Sequence, residues 1–143
     1  MKLTSSAFED GGALDTRFGN KYENASPPLA WSDAPAGTQS LALVLVDTHP
    51  VARGYVHWML GDLPAEVHSL DEAATLPAGT LEFKPYAGPF PPSGTHGYEF
   101  RLFALDVAAL DLPAKSSSDA FLAAVDQQTL EVAVLTGTFT KVK

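Results

Sequence analysis

Cysteine is missing from all 143 residues, and with it go disulfide cross-links, thiolate zinc sites and any cysteine nucleophile. Basic side chains are scarce too. Nine lysines and arginines stand against 17 aspartates and glutamates, a formal net charge of -8. Such a surface repels nucleic-acid phosphates and anionic lipid headgroups at long range, so no nucleic-acid partner is expected. Any anion the protein holds must be gripped locally. No stretch approaches the roughly 18 apolar residues that cross a bilayer, and no transmembrane segment is expected. Behind Met1-Lys2-Leu3-Thr4-Ser5-Ser6 there is no apolar core of a cleaved leader, so the expected location is cytoplasmic.

What is present reads as a globular chain. Hydrophobic residues make up 45% and charged residues 18%, which suits one folded domain spanning residues 1–143. Proline and glycine, 11 each, gather at Ser26-Pro27-Pro28, Ala34-Pro35-Ala36-Gly37 and Gly88-Pro89-Phe90-Pro91-Pro92-Ser93-Gly94. Short apolar runs lie between these clusters, the pattern of an all-β domain. Ser40 to Asp47 is apolar on both faces and predicts a central strand. Tyr55 to Leu60 and Glu99 to Leu105 predict two more. Tyr98, Phe100 and Leu102 share one face of the latter, with Glu99 and Arg101 on the other. Glu131 to Leu135 and Gly137 to Thr140 read as a closing strand pair. One helix is expected after an N-cap at Ser118, with Phe121, Leu122 and Val125 as its apolar stripe; Ala7-Phe8 and Leu70 to Ala74 are weaker helical candidates. The sum is a β-sandwich with one or two peripheral helices.

Chemistry is sought at strand ends, where a rigid scaffold presents side chains. Asp47 ends the most hydrophobic strand, His57 sits inside Val56-His57-Trp58-Met59-Leu60, and His96 and Tyr98 follow the proline loop. Singly, each has a plain structural explanation: a turn aspartate, a hydrogen-bonded core histidine, a core phenol with a wet hydroxyl. His96 and Tyr98 are two apart and so face the same way. Together they suggest a pocket of two imidazoles, a carboxylate and a phenol. Asp47, His49, His57 and His96 also supply oxygen and nitrogen ligands for zinc, without the local spacing of a known zinc motif. Ser93 or Thr95 beside His96 suggests a hydrolytic nucleophile, though Ser93-Gly94-Thr95 reads equally as a turn.

Several motifs in order resemble one family. Asn24-Ala25-Ser26-Pro27-Pro28-Leu29-Ala30-Trp31 with Pro35 to Ser40 is similar to the first signature of the phosphatidylethanolamine-binding proteins. Asp47 to Pro50, then Val56-His57-Trp58, resembles their acidic-proline loop and histidine-tryptophan strand. Tyr86 to Tyr98 resembles their second signature, and Ala104-Leu105-Asp106 with Leu135 to Phe139 fits the bacterial and archaeal, Raf-kinase-inhibitor-like branch. The resemblance implies a Greek-key antiparallel sandwich with a small pocket for phosphate-like or carboxylate anions, and neither cofactor nor resident metal nor catalytic residues. Carried over by position, Asp47, His57, Gly88, Pro89, His96 and Tyr98 would line that pocket and Pro50 and Pro92 would shape its rim. Gly88 would allow close backbone approach, and Asp47 would fix an imidazole tautomer and raise the histidine pKa. Anion affinity would then rise as pH falls from about 7.5 to 5.5. The ligand would be a phospholipid headgroup or a phosphorylated group; the rival role is that of a protein-binding regulator of a kinase or protease, and homo-oligomerisation stays open. Two departures stand out: the acidic-proline loop is one residue short at Asp47-Thr48-His49-Pro50, and Gly97 occupies the place of an arginine.

Overall fold

The computed structural model describes residues 1–142. Nine strands and one α-helix are built in the order β1 (Lys2–Thr4), β2 (Gly12–Ala13), β3 (Leu29–Ser32), β4 (Ser40–Asp47), β5 (Val56–Pro64), β6 (Ser69–Leu70), β7 (Leu81–Lys84), β8 (Thr95–Leu105), α1 (Ser118–Gln128) and β9 (Thr129–Thr140). They form a three-stranded sheet, β1-β3-β6, and a six-stranded sheet, β2-β9-β8-β4-β5-β7. All the pairings are antiparallel except the short parallel match of Gly12 and Ala13 to Gly137 and Thr138. The protein is all-β with a peripheral helix.

β4 explains the architecture. Leu41, Leu43 and Leu45 point into the core between the sheets, where they meet Leu29, Trp31, Phe100 and Leu102. Ala42, Val44 and Val46 point the other way, into a second core closed by Phe121 and Val125 of α1. A strand covered on both faces has no reason to alternate, and its sequence does not. β8 carries one buried face, with Tyr98, Phe100 and Leu102; on the other, Glu99 and Arg101 pair at 2.8 Å.

Four sequence expectations need correction. β5 and β8 extend beyond the ranges read, to Pro64 and back to Thr95, and His96 and Tyr98 open β8 on one face as their spacing implied. The closing strand pair is one strand: Gly137 stays in register opposite Tyr98, and its missing side chain makes room for Leu14, whose Cδ2 would lie 2.9 Å from a Cβ there. The helix is capped by Ser117 rather than Ser118, through the Ala120 amide at 3.1 Å. Neither weaker helical segment forms: Phe8 is drawn into the core from a non-helical stretch, and Leu70 pairs with Leu29 as part of β6. Two short 3-10 turns, Thr16–Phe18 and Pro50–Ala52, complete the elements.

Candidate functional site

A cleft of about 340 Å³ opens at one end of the sandwich, and Asp47, His57, Gly88, Pro92 and His96 are among its lining residues. Register accounts for part of this convergence. Asp47 is paired with Tyr98, so His96, two residues earlier on β8, is its diagonal neighbour on the same face. His96 Nδ1 lies 2.7 Å from Asp47 Oδ2, and the other carboxylate oxygen accepts the His49 amide at 2.9 Å. Both groups are buried. The carboxylate therefore holds the proton on His96 Nδ1 and leaves Nε2 without a protein partner.

His57 arrives by a different route. In the β4–β5 ladder Leu45 is opposite Trp58 and Val46 opposite Val56, so His57 is an extra residue facing none. This β-bulge interrupts the alternation that would otherwise put His57 and Trp58 on opposite faces. Trp58 packs in the inter-sheet core while His57 lines the cleft. His57 Nδ1 donates to the Ala87 carbonyl at 2.7 Å, and the Ala87 amide returns a bond to the His57 carbonyl at 2.9 Å. Here too Nε2 is the unengaged nitrogen. The imidazole that Asp47 holds is His96, and on His57 the Asp47 charge acts in the expected, raising direction. Burial pushes the His57 pKa below 6.5 and outweighs the raising effects of the Ala87 bond and the Asp47 charge.

That direction has a consequence for stability. A histidine whose folded pKa is depressed contributes stability above its unfolded value, near 6.5, and that stability is lost as pH falls through the folded value. His57→Gln removes the titration. Melting temperatures compared at pH 7.5 and 5 should fall further in the wild type than in the variant; equal falls would show that this ring is not the proton-linked group.

The opposite wall is stitched from loops. Asn24, in the left-handed region at φ 52°, donates from Nδ2 to the Tyr86 carbonyl at 3.2 Å and accepts the Gly88 amide on Oδ1 at 2.7 Å. Tyr86 Oη donates to the Phe18 carbonyl at 2.8 Å, and the Asn20 amide donates to Pro89 O at 3.0 Å. Gly88 is needed for this seam: a Cβ would sit 2.0 Å from the Phe18 carbonyl oxygen. Its bareness thus serves the protein's own backbone.

Three residues assigned to the pocket by sequence do not line it. Tyr98 lies fully buried, with its hydroxyl in hydrogen-bonding geometry to no group, although Asp47 and the Phe90 amide are near enough to affect it. Burial, then the Asp47 charge, drives its pKa well above the ordinary phenol value. Pro89 is spent on the seam with Asn20. Pro50 opens a 3-10 turn whose next two residues, Val51 and Ala52, form the rim instead. Missed from sequence were Asn20, Tyr55 and Phe90, which line the cleft, and Asn24, which clamps its wall. An asparagine opening the Asn24-Ala25-Ser26-Pro27-Pro28 turn was the available signal, since asparagine tolerates positive φ.

The alternative chemistries fare differently. Among the described residues no three histidine, aspartate or glutamate side chains converge as a metal site would require. His49, offered as a ligand, stacks on His96 with centroids 4.0 Å apart and spends Nδ1 accepting the Val51 amide at 3.1 Å. Asp47 and His96 have the form of an acid–base dyad, but no serine or threonine hydroxyl lines the cleft. Ser93 is exposed, and Thr95 Oγ1 lies 2.6 Å from Thr140 Oγ1.

A family model described as phosphatidylethanolamine-binding protein matches residues 4–140. The chain belongs to that family. It is 36% identical over 149 aligned residues to a UPF0098 protein of Methanothermobacter thermautotrophicus, covering 97% of this chain and 98% of that one. A longer Mycobacterium tuberculosis relative with a lipoprotein name, LppC, is 37% identical, over 97% of this chain and 72% of its own. The crystal structure of YbcL from Escherichia coli, described as a member of the mammalian phosphatidylethanolamine-binding protein family, superposes with a TM-score of 0.90 at 25% identity; 99% of this chain and 98% of that chain are covered. Within the family this chain is a binding-protein fold, and no helix among the described residues is long and apolar enough to cross a membrane.

Proposed function

We propose that this family member is a non-catalytic binding module whose cleft takes a phosphate-like or carboxylate group of a small ligand. One observation carries the reading. Two buried imidazoles each have Nδ1 tied to an internal acceptor, His57 to Ala87 O and His96 to Asp47, and each keeps Nε2 unused beside the same cleft. Protonated Nε2 atoms donate hydrogen bonds to oxyanions, and a partly buried site strengthens such charge-assisted bonds. The Asn20 side chain and the Tyr55 hydroxyl, both at the lining, make no hydrogen bond in the described structure and add two neutral donors. Asp47 opposes an anion by charge, and its engagement by His49 and His96 is what makes it tolerable there. A cytoplasmic location belongs to the same proposal and rests on the sequence expectation.

Inorganic phosphate should raise the melting temperature of the wild type, and His96→Ala should abolish the shift while the variant stays folded. A wild type indifferent to millimolar phosphate would remove the proposal. Sulfate, which keeps its charge between pH 8 and 5, isolates the protein's own titration. Its affinity should climb mainly below pH 6.5, because burial holds His57 neutral above that value.

A further inference from the structure

The cleft shares Phe90 and Pro92 with a second groove of about 410 Å³ on the other side of the proline loop. Its lining is mostly apolar, with Tyr22, Phe90 and Pro92 exposed and Pro91 and Phe139 buried, and Lys21 and Lys141 border it. Phe90 and Tyr22 are about half exposed, at 52% and 46%, so two partly exposed aromatic side chains line this groove. Lys21 Nζ lies 4.6 Å from the Phe90 ring centroid, and Lys141 Nζ donates to Pro92 O at 2.9 Å. The described ion pairs engage Arg17, Arg101, His96 and the Met1 amine; neither of these lysines is in one. On a chain of net charge -8, two cations with no carboxylate partner among the described residues flank a groove that shares Phe90 and Pro92 with the anion cleft.

Building on the anion-binding reading, we propose that the groove is the second half of a two-part site, and that its occupant is an extended acidic peptide whose phosphorylated residue sits in the cleft. The wall is suited to a chain rather than to a compact solute. Pro89, Pro91 and Pro92 have no amide hydrogen, so the exposed part of the wall is the rings of Phe90 and Pro92, and aromatic rings pack well on the prolines and aliphatic stems of an extended peptide. The three residues Phe90 to Pro92 bridge on the order of 7–10 Å, the reach of two or three extended residues. A carboxylate two or three positions from the phosphorylated residue would therefore meet the lysines. A bilayer is the poorer fit: docking would bring the whole acidic chain against the membrane surface, and an acyl chain gains nothing from bordering ammonium groups.

Three probes test this at pH 6 and low salt: inorganic phosphate, the peptide phosphoserine-proline-glutamate-glutamate, and the same peptide with both glutamates as glutamine. The acidic peptide should bind about tenfold more tightly than phosphate, and the glutamine peptide should lose most of that gain. Lys21→Glu with Lys141→Met should weaken the acidic peptide about tenfold and leave phosphate unchanged. Lys21→Glu alone, which breaks no hydrogen bond, should show about half of the effect on a logarithmic scale and guards against a disturbed loop. Equal affinities for peptide and phosphate, or a peptide affinity blind to the lysines, would overturn the groove's role. So would vesicles of phosphatidylcholine and phosphatidylglycerol that retain the protein through Lys21 while the peptide ignores it. If phosphate fails to bind but the peptide still depends on the lysines, it is the cleft reading that falls and the groove that stands.

Discussion

Gly88→Ala is expected to lower the melting temperature by roughly 10 °C, from a loss of about 3 kcal/mol. The added Cβ would lie 2.0 Å from the Phe18 carbonyl oxygen, 2.9 Å from the Asn20 amide nitrogen and 3.0 Å from Asn24 Oδ1. Two of these are backbone atoms, which no rotamer change can move aside. Relief requires the loop around Gly88 to retreat, and retreat breaks the bond from its amide to Asn24. Gly97→Ala is the matched control: its Cβ meets only Thr48 Oγ1, at 3.0 Å, the end of a side chain. Thermal melts of the two variants should differ severalfold in their loss, and equal losses would mean that the seam between the two loops is slack.

Asp47→Ala is expected to damage both stability and binding at the cleft. The carboxylate is buried, accepts the His49 amide on one oxygen and holds His96 Nδ1 on the other. Truncation leaves the buried His96 Nδ1 and the part-buried His49 amide without their acceptor, at a cost of about 2–4 kcal/mol, measurable by urea unfolding. Its effect on phosphate affinity separates two roles. If Asp47 were only a negative charge near an anion, removing it would tighten binding. As the group that fixes the His96 ring and its proton, removing it should weaken binding at pH 6 by about tenfold. Tighter binding by the variant would end the positioning role.

Much of the cleft was legible before any coordinates because strand parity is a simple code. His96 and Tyr98 share a face by spacing, and Asp47 ends a run whose lack of alternation marks it as central. The failures have physical causes. His57 and Trp58 are neighbours that parity separates, and only the ladder shows the extra residue that reunites them. The closing strand was read as two, parted before Gly137, yet it runs through, and the bare position is filled by Leu14 from a distant segment. Pro89 and Tyr98 carry the right chemistry in the right motif, but one is consumed in loop packing and the other lies beneath the cleft floor. Motif membership gave proximity; it did not say which face of each group meets solvent. The sign of the His57 shift was likewise hidden, since burial is a property of neighbours contributed by β4, β8 and the 86–90 loop.

The irregularity in β5 makes residue count, more than residue type, the guardian of this end of the molecule. Lengthening the exposed tip of the turn at Arg53 and Gly54 would leave the inward-facing groups of the flanking strands where they are. Deleting a single position between Val56 and Met59 would instead restore a regular pleat and force a choice between an indole in the core and an imidazole at the opening. Chain-length variation among relatives should therefore crowd into the turns and spare this short stretch.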